Sequence, residues 1–444
     1  MPWQRREASE GMTDSVPATD PPAALSGYRI LDFTERVQGP LGTQILGDLG
    51  AEVIKVERLE VVTPDGGPME RYRTTDDGHG FDPDFYNAAF LSLNRNKQSI
   101  SLDLKSAEGL EVARRLVAVC DVVYENFRPG VMDRLGVGYQ ACTEINPSII
   151  YASASGYGKD GPYAKRRGQD ILAQAIGGLG AMNATADGRP TAVGIPIADI
   201  LGGMNGALAV LAALLYRDRT GIGQHVQVNL LDSVLAAQGE EALLFLNSPV
   251  GEPQRQTAMH AHPYIPPPYG FYATLDGYIA LPSGQQLPEL SAILGLPDLR
   301  QDPRFSTSRV RDRNRVEFER LLEEELAQRT TTEWLEVLDA QDIYAAPVNT
   351  VGKAFADPQV LHNKIVITVD APGGPLTMIA SPLRLSTTPT RVRRPPPRLG
   401  EHTDDILRLA GFDDRDIDRI WKSGAVAGSG ATSTDAQAGG KAHS

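Results

Sequence analysis

The stretch RRGQDILAQAIGG, residues 166–178, contains one carboxylate whose setting suits chemistry, Asp170. It follows two arginines and precedes an apolar run that ends in paired glycines. Aspartate is among the best residues at a helix N-cap, where its oxygen accepts the free backbone N–H groups of the first turn. The same setting keeps the carboxylate ionised at neutral pH, and an ionised carboxylate is a usable nucleophile. Capping and attack are compatible roles for Asp170.

The segment YENFRPG, residues 124–130, brings Glu125, Asn126 and Arg128 directly after an apolar run. Pro and Gly favour a turn there, with the arginine solvated; the functional reading is a loop that holds a polar, anionic ligand. Composition does not choose between the two. Arg58, Lys97 and Arg134 are further cations at strand edges or in loops. Together they can gather phosphates, because the guanidinium fork matches phosphate oxygens and the ammonium supplies a point charge. GGLGAM and LGGMNG lack the order of a dinucleotide site, and no P-loop or GxSxG elbow occurs. The histidines, including His260, His262 and His402, lack partners at metal-ligand spacing, so no metal is expected.

These residues must be positioned by the elements around them. YRILDF, AEVIKVE, SISLDL, DVVYENF and IIYASASGY read as strands, alternating with helical stretches at GPLGTQILGDLG, AEGLEVARRLVAVC and VMDRLGVGYQACTEI. This rhythm predicts a parallel sheet covered on both faces, with Asp170 where the C-terminal end of a strand opens onto a cleft. Two helices follow, the second being the Gly/Ala-rich ADILGGMNGALAVLAALLYRDRTG, whose small residues allow close packing on another helix or a second subunit. Residues 249–282 are rich in Pro and Tyr and read as strand and turn.

At 444 residues the chain is long enough for two domains. The reading is a disordered leader over 1–27, with Met12 a possible start, a large α/β domain over 28–229, a smaller domain over 230–340, a return to the large domain over 341–424, and a disordered Gly/Ala/Ser-rich tail over 425–444. A net charge of −13 disfavours nucleic acid and anionic membrane surfaces, so an anionic ligand must be held by local cations. The longest apolar run, residues 206–216, is short for a bilayer span. Two cysteines make no disulfide framework, and a cytoplasmic location is expected.

The ordered series GDLGAEVIKVER, NRNKQSISLDL, ENFRPGVMDRLG, NPSIIYASASGYGKDGPY, GQDILAQAIGG, YRDRTGIGQHVQVNLLDS, AAPVN, ADPQV and LGEHTDDIL resembles the family III CoA-transferases over nearly the whole chain. The resemblance implies a large Rossmann-like parallel-sheet domain with a smaller α+β domain, threaded into an interlocked homodimer. It implies CoA transfer from an acyl-CoA to a small carboxylic acid, with coenzyme A as co-substrate and no tightly bound cofactor. In the mechanism it implies, Asp170 attacks the thioester to form a mixed anhydride, which passes through an aspartyl-CoA thioester. The implied CoA contacts are Val37, Gln38, Arg58, Asn96, Lys97, Glu125, Asn126, Phe127, Arg128 and Arg134.

The alternative is an isomerase similar to α-methylacyl-CoA racemase. Those enzymes carry G-H-D where this chain has Gly168, Gln169 and Asp170, and glutamine does not titrate. Asp199 matches the acid that racemases pair with the missing histidine. A third reading, CoA binding without turnover, makes Asp170 only a cap. Two departures from the family pattern stand out. HPYIPPPYG replaces a glycine run, stiffening a segment expected to act as a lid, and Glu35 and Arg36 lie near the expected CoA site. Tyr264, Tyr269, Phe271 and Tyr272 suggest an apolar or aromatic acid.

Overall fold

A computed structural model describes residues 22–61, 69–72, 85–249, 251–252, 257–282 and 284–428. Its large sheet is built from β1 (Arg29–Asp32), β2 (Glu52–Glu57), β3 (Lys97–Leu102), β4 (Val122–Glu125), β5 (Ile150–Ser155) and β6 (Gln224–Asn229). All pair in parallel, in the order β3-β2-β1-β4-β5-β6. The order reverses between β1 and β4, and ligands of open parallel sheets bind outside the strand ends at such a switch.

Between these strands run α1 (Gln38–Asp48), α2 (Phe85–Leu93), α3 (Ala107–Val119), α4 (Val131–Arg134), α5 (Tyr139–Ile145), α6 (Asp170–Ile176), α7 (Leu179–Met182) and α8 (Ile197–Thr220). The α3 stripe of Val112, Ala113, Leu116 and Val117 is buried on one sheet face. On the other face α8 packs against Tyr124 and Val226 through Ala207, Val210 and Leu214. The single helix expected over VMDRLGVGYQACTEI is two, because Gly136 adopts φ +78° and breaks it.

After β6 come α9 (Leu230–Ala237) and α10 (Gly239–Asn247), then a separate unit with its own core. It holds β7 (Gly270–Ala273), β8 (Tyr278–Leu281), α11 (Leu287–Ile293), α12 (Ser308–Arg313), α13 (Arg315–Leu326), α14 (Thr331–Asp339) and β9 (Ala346–Pro347). Its strands are antiparallel, and Tyr272, Phe305, Phe318 and Trp334 fill its interior. The chain continues through α15 (Val351–Ala356), α16 (Pro358–Asn363) and the hairpin β10 (Val366–Ala371) with β11 (Gly374–Ile379). It returns to the large sheet with α17 (Thr403–Leu409), α18 (Asp414–Ser423) and β12 (Val426–Ala427).

Both expected disordered ends are shorter than the composition suggests. Leu25 is buried and its N–H bonds to Leu49 O at 2.9 Å, so residues 22–27 close over the large domain. Val426 and Ala427 pair antiparallel with β3, extending the sheet into the segment expected to be a tail. The remainder of both ends lies outside the described residues.

Candidate active site

Asp170 is the first residue of α6, and it does not cap that helix. Its Oδ1 accepts the backbone N–H groups of Ala198 at 2.7 Å and Asp199 at 3.2 Å, while Gln174 Nε2 donates to Oδ2 at 2.6 Å. The residue preceding α8 is Pro196, which has no capping side chain, so Asp170 supplies the missing cap across space. Gln174 is buried and also accepts from Val193 N. Oδ1 of Asp170 therefore holds the start of α8, and Oδ2 is held by Gln174 of its own helix, which fixes the carboxylate in place.

The residue so placed is Asp199, in the first turn of α8. Its carboxylate lies near the backbone N–H of Gln38, the first residue of α1, which favours its charged form. Two helix N-termini thus converge on it, which favours negative charge. Burial nevertheless pushes its pKa up, the charge of Asp170 adds to the rise, and the Gln38 N–H opposes both, leaving it at about 7. The charge beside Asp170 therefore changes across neutral pH. The sequence signal, Asp199 in PIADILGG, is legible only as a match to the racemase acid.

The start of α1 is fixed from below. Lys97 is fully buried, and its ammonium donates to Asp32 Oδ2 at 3.0 Å, Pro40 O at 3.0 Å and Asn94 Oδ1 at 3.0 Å. Burial alone would raise the Asp32 pKa, but Lys97 and Lys55 outweigh it and bring the carboxyl to about 2. Asp32 in turn accepts from Thr34 N and Thr34 Oγ1, shaping the turn before α1. The Lys97 side chain, in a segment expected to contact coenzyme A, is thus turned into the fold. Asn96 is likewise buried, donating to Asp48 and Arg391 O and accepting from the backbone of Arg393 and Arg394. Its side chain ties the returning chain to α1.

The remaining expected contacts do gather at the C-terminal edge of the sheet. Val37 and Gln38 lie at the start of α1, and the Gln38 amide Nε2 is buried with no partner among the described residues. A Cβ on Gly202 would lie 2.6 Å from that nitrogen, so a side chain there would displace the Gln38 amide. Glu125 is buried and accepts Phe127 N at 2.8 Å; burial pushes its pKa up to about 7, against hydrogen bonds from Ser153 and Phe127. Phe127 packs on the main core, while Arg58, Arg128 and Arg134 stay exposed. Asn126 bridges to the turn after β1, donating to Glu35 O and accepting Glu35 N.

Beside Asp170, the loop after β5 is pinched where a Cβ on Gly156 would lie 2.5 Å from Gly168 Cα. It exposes Lys159, Lys165, Arg166 and Arg167. Gln169, which stands where a racemase has histidine, is exposed. Of the aromatics expected to line an acid pocket, Tyr272 is fully buried in the core of the smaller unit, so it packs there instead.

A doubly wound sheet with aspartates and cations gathered at its switch-point edge defines a binding site for an anionic acyl carrier. The model of CoA-transferase family III matches residues 25–403, and the chain belongs to that family. It is 36% identical to human succinyl-CoA:glutarate CoA-transferase, over 90% of each chain. It is 33% identical to formyl-CoA:oxalate CoA-transferase of Bradyrhizobium diazoefficiens, over 91% of this chain and 97% of that one. The solved Mycobacterium tuberculosis protein Rv3272 superposes with a TM-score of 0.74 at 33% identity, covering 87% of this chain and all of that one. A CAIB/BAIF family protein from Brucella suis gives 0.73 at 34% identity, covering 87% of this chain and 99% of that one. The chain is accordingly an enzyme of the CoA-transferring class, acting on acyl-CoA and carboxylic acids.

Proposed function

We propose that this enzyme moves CoA from an acyl-CoA to a short dicarboxylic acid through an aspartyl anhydride and an aspartyl-CoA thioester, with Asp170 as the attacking carboxylate. The observation that supports Asp170 is its set of donors: two backbone N–H groups at the start of α8 and the Gln174 amide hold the carboxylate in place and favour its ionised form, while leaving it lone pairs for attack. In the first step an Asp170 oxygen attacks the thioester carbonyl, the C–S bond breaks, and CoA leaves as a thiolate. The thiolate then attacks the Asp170 carbonyl of the anhydride and releases the donor acid as carboxylate. The acceptor carboxylate attacks the aspartyl thioester, freeing the thiolate again. Its attack on the acceptor carbonyl gives the new acyl-CoA and restores Asp170. No net proton transfer is required.

A dicarboxylic acceptor is supported by relatives named for glutarate and oxalate and by the exposed cations of the loop before Asp170. The isomerase alternative is disfavoured because the amide of Gln169 does not titrate. We further infer an interlocked homodimer, supported by the exposed apolar residues of α8 and α10.

The test is intact-protein and peptide mass spectrometry after mixing with succinyl-CoA and other acyl-CoAs and trapping with hydroxylamine. Wild type and Asp199→Asn are expected to carry the label on Asp170, and Asp170→Asn to carry none. A label mapped to Asp199 would move the nucleophile to the start of α8. Solvent deuterium entering a 2-methylacyl-CoA without any label would favour the isomerase.

A further inference from the structure

Arg58 leaves the end of β2 and its side chain is 70% exposed, so its guanidinium is within reach of a phosphate arriving at this edge. Lys97, the neighbour of similar promise, is consumed inside the fold by Asp32. Yet the Arg58 guanidinium already has a partner. Nε lies 3.0 Å from Glu35 Oε1 and Nη2 3.4 Å from Oε2, the two-pronged geometry that a phosphate would also use.

A surface ion pair of this kind is commonly weak, because two long side chains must be ordered for little gain. Glu35 differs in that its backbone is held on both sides. Asn126 accepts its N–H at 2.8 Å and donates to its carbonyl at 2.7 Å. The preceding Thr34 is bound through N and Oγ1 to buried Asp32, and its carbonyl accepts from Lys55 Nζ at 2.8 Å. The following Arg36 is fixed at φ +69°. The glutamate is therefore presented to Arg58 by a turn that has little freedom, across the crevice edge where β1 and β2 end.

We propose that Glu35 is an internal competitor for the phosphate site of Arg58, so that coenzyme A binds by exchanging a carboxylate for a phosphate on one guanidinium. This rests on the CoA-transferase reading and adds to it an affinity-determining residue that contacts no reacting atom. The physical consequence is weaker retention of the carrier: every CoA that enters must displace Glu35, and Glu35 re-forms its pair as CoA leaves. The carboxylate also remains nearby as a like charge after displacement. Replacing it with an uncharged isostere removes both effects while keeping the turn, since the backbone hydrogen bonds to Asn126 do not involve the side chain.

The experiment is isothermal titration of free CoA into wild type, Glu35→Gln, Arg58→Met and the double variant, with thermal melts confirming that each folds. Glu35→Gln should tighten CoA about fivefold, and the tightening should vanish in the Arg58→Met background. An unchanged dissociation constant for Glu35→Gln, or an equal gain with and without Arg58, would overturn the exchange while leaving CoA binding intact. Absence of CoA binding to wild type would instead remove the transferase reading, and the exchange with it.

Discussion

At the scale of single residues, the site is a pair of aspartates with divided roles. Asp170 is the proposed nucleophile, and Asp199 is the neighbouring acid. Burial and the charge of Asp170 raise the Asp199 pKa to about 7, so a second negative charge appears beside the nucleophile as pH rises, and kcat/KM for the anionic acyl-CoA should fall through about 7. Asp199→Asn removes that titration and should flatten the profile, a change that a purely structural defect would not produce. Stability has the same sign. A carboxyl that keeps its proton to higher pH when folded contributes stability present below its ordinary value near 3.8 and lost as pH rises through about 7. In denaturant melts between pH 4 and 8, Asp199→Asn should therefore show a shallower decline than wild type.

At the scale of elements, α8 links the sheet to the site. Its glycines face groups that leave no room for a side chain: a Cβ on Gly206 would lie 1.8 Å from the Tyr124 hydroxyl, and one on Gly203 would lie 2.6 Å from Gln38 O. Such contact lets the start of α8, which Asp170 holds, lie close to β4 and α1. Gly206→Ala forces α8 away from Tyr124. By the usual cost of overpacking it should destabilise the protein by about 1–3 kcal/mol, and it should lower kcat along with thermal stability. An unchanged melting temperature would mean that the helix accommodates the methyl without moving.

At the scale of the whole molecule, one chain leaves apolar surface uncovered. Leu243 is 65% exposed and Leu246 75% on α10, while Leu208 is 62% and Leu215 58% on α8. Soluble monomers seldom leave such contiguous apolar surface open. Sedimentation should therefore give a dimer that persists on dilution, as the interlocked assembly proposed above requires. Leu246→Glu combined with Leu208→Glu should yield monomer or aggregate. A stable, monodisperse wild-type monomer would contradict the interlocked assembly.

The sequence by itself determined what depends on local periodicity and on neighbours along the chain. The strands at YRILDF, AEVIKVE, SISLDL and IIYASASGY, the α3 stripe, the parallel sheet and the family are all legible there, because burial imposes a period on side chains before any tertiary contact forms. It also marked Asn126, Arg58 and Arg128 as residues of the sheet edge. Tertiary structure decided which polar groups remain available. Lys97 reads as a surface cation, yet Asp32, 65 residues away in the chain, takes its charge inside. Asp170 reads as a reactive carboxylate that also caps its own helix, yet its Oδ1 binds N–H groups 28 and 29 residues further on. A polar side chain's function is set by the donors and acceptors that fold around it, and those come from distant segments that no local pattern records.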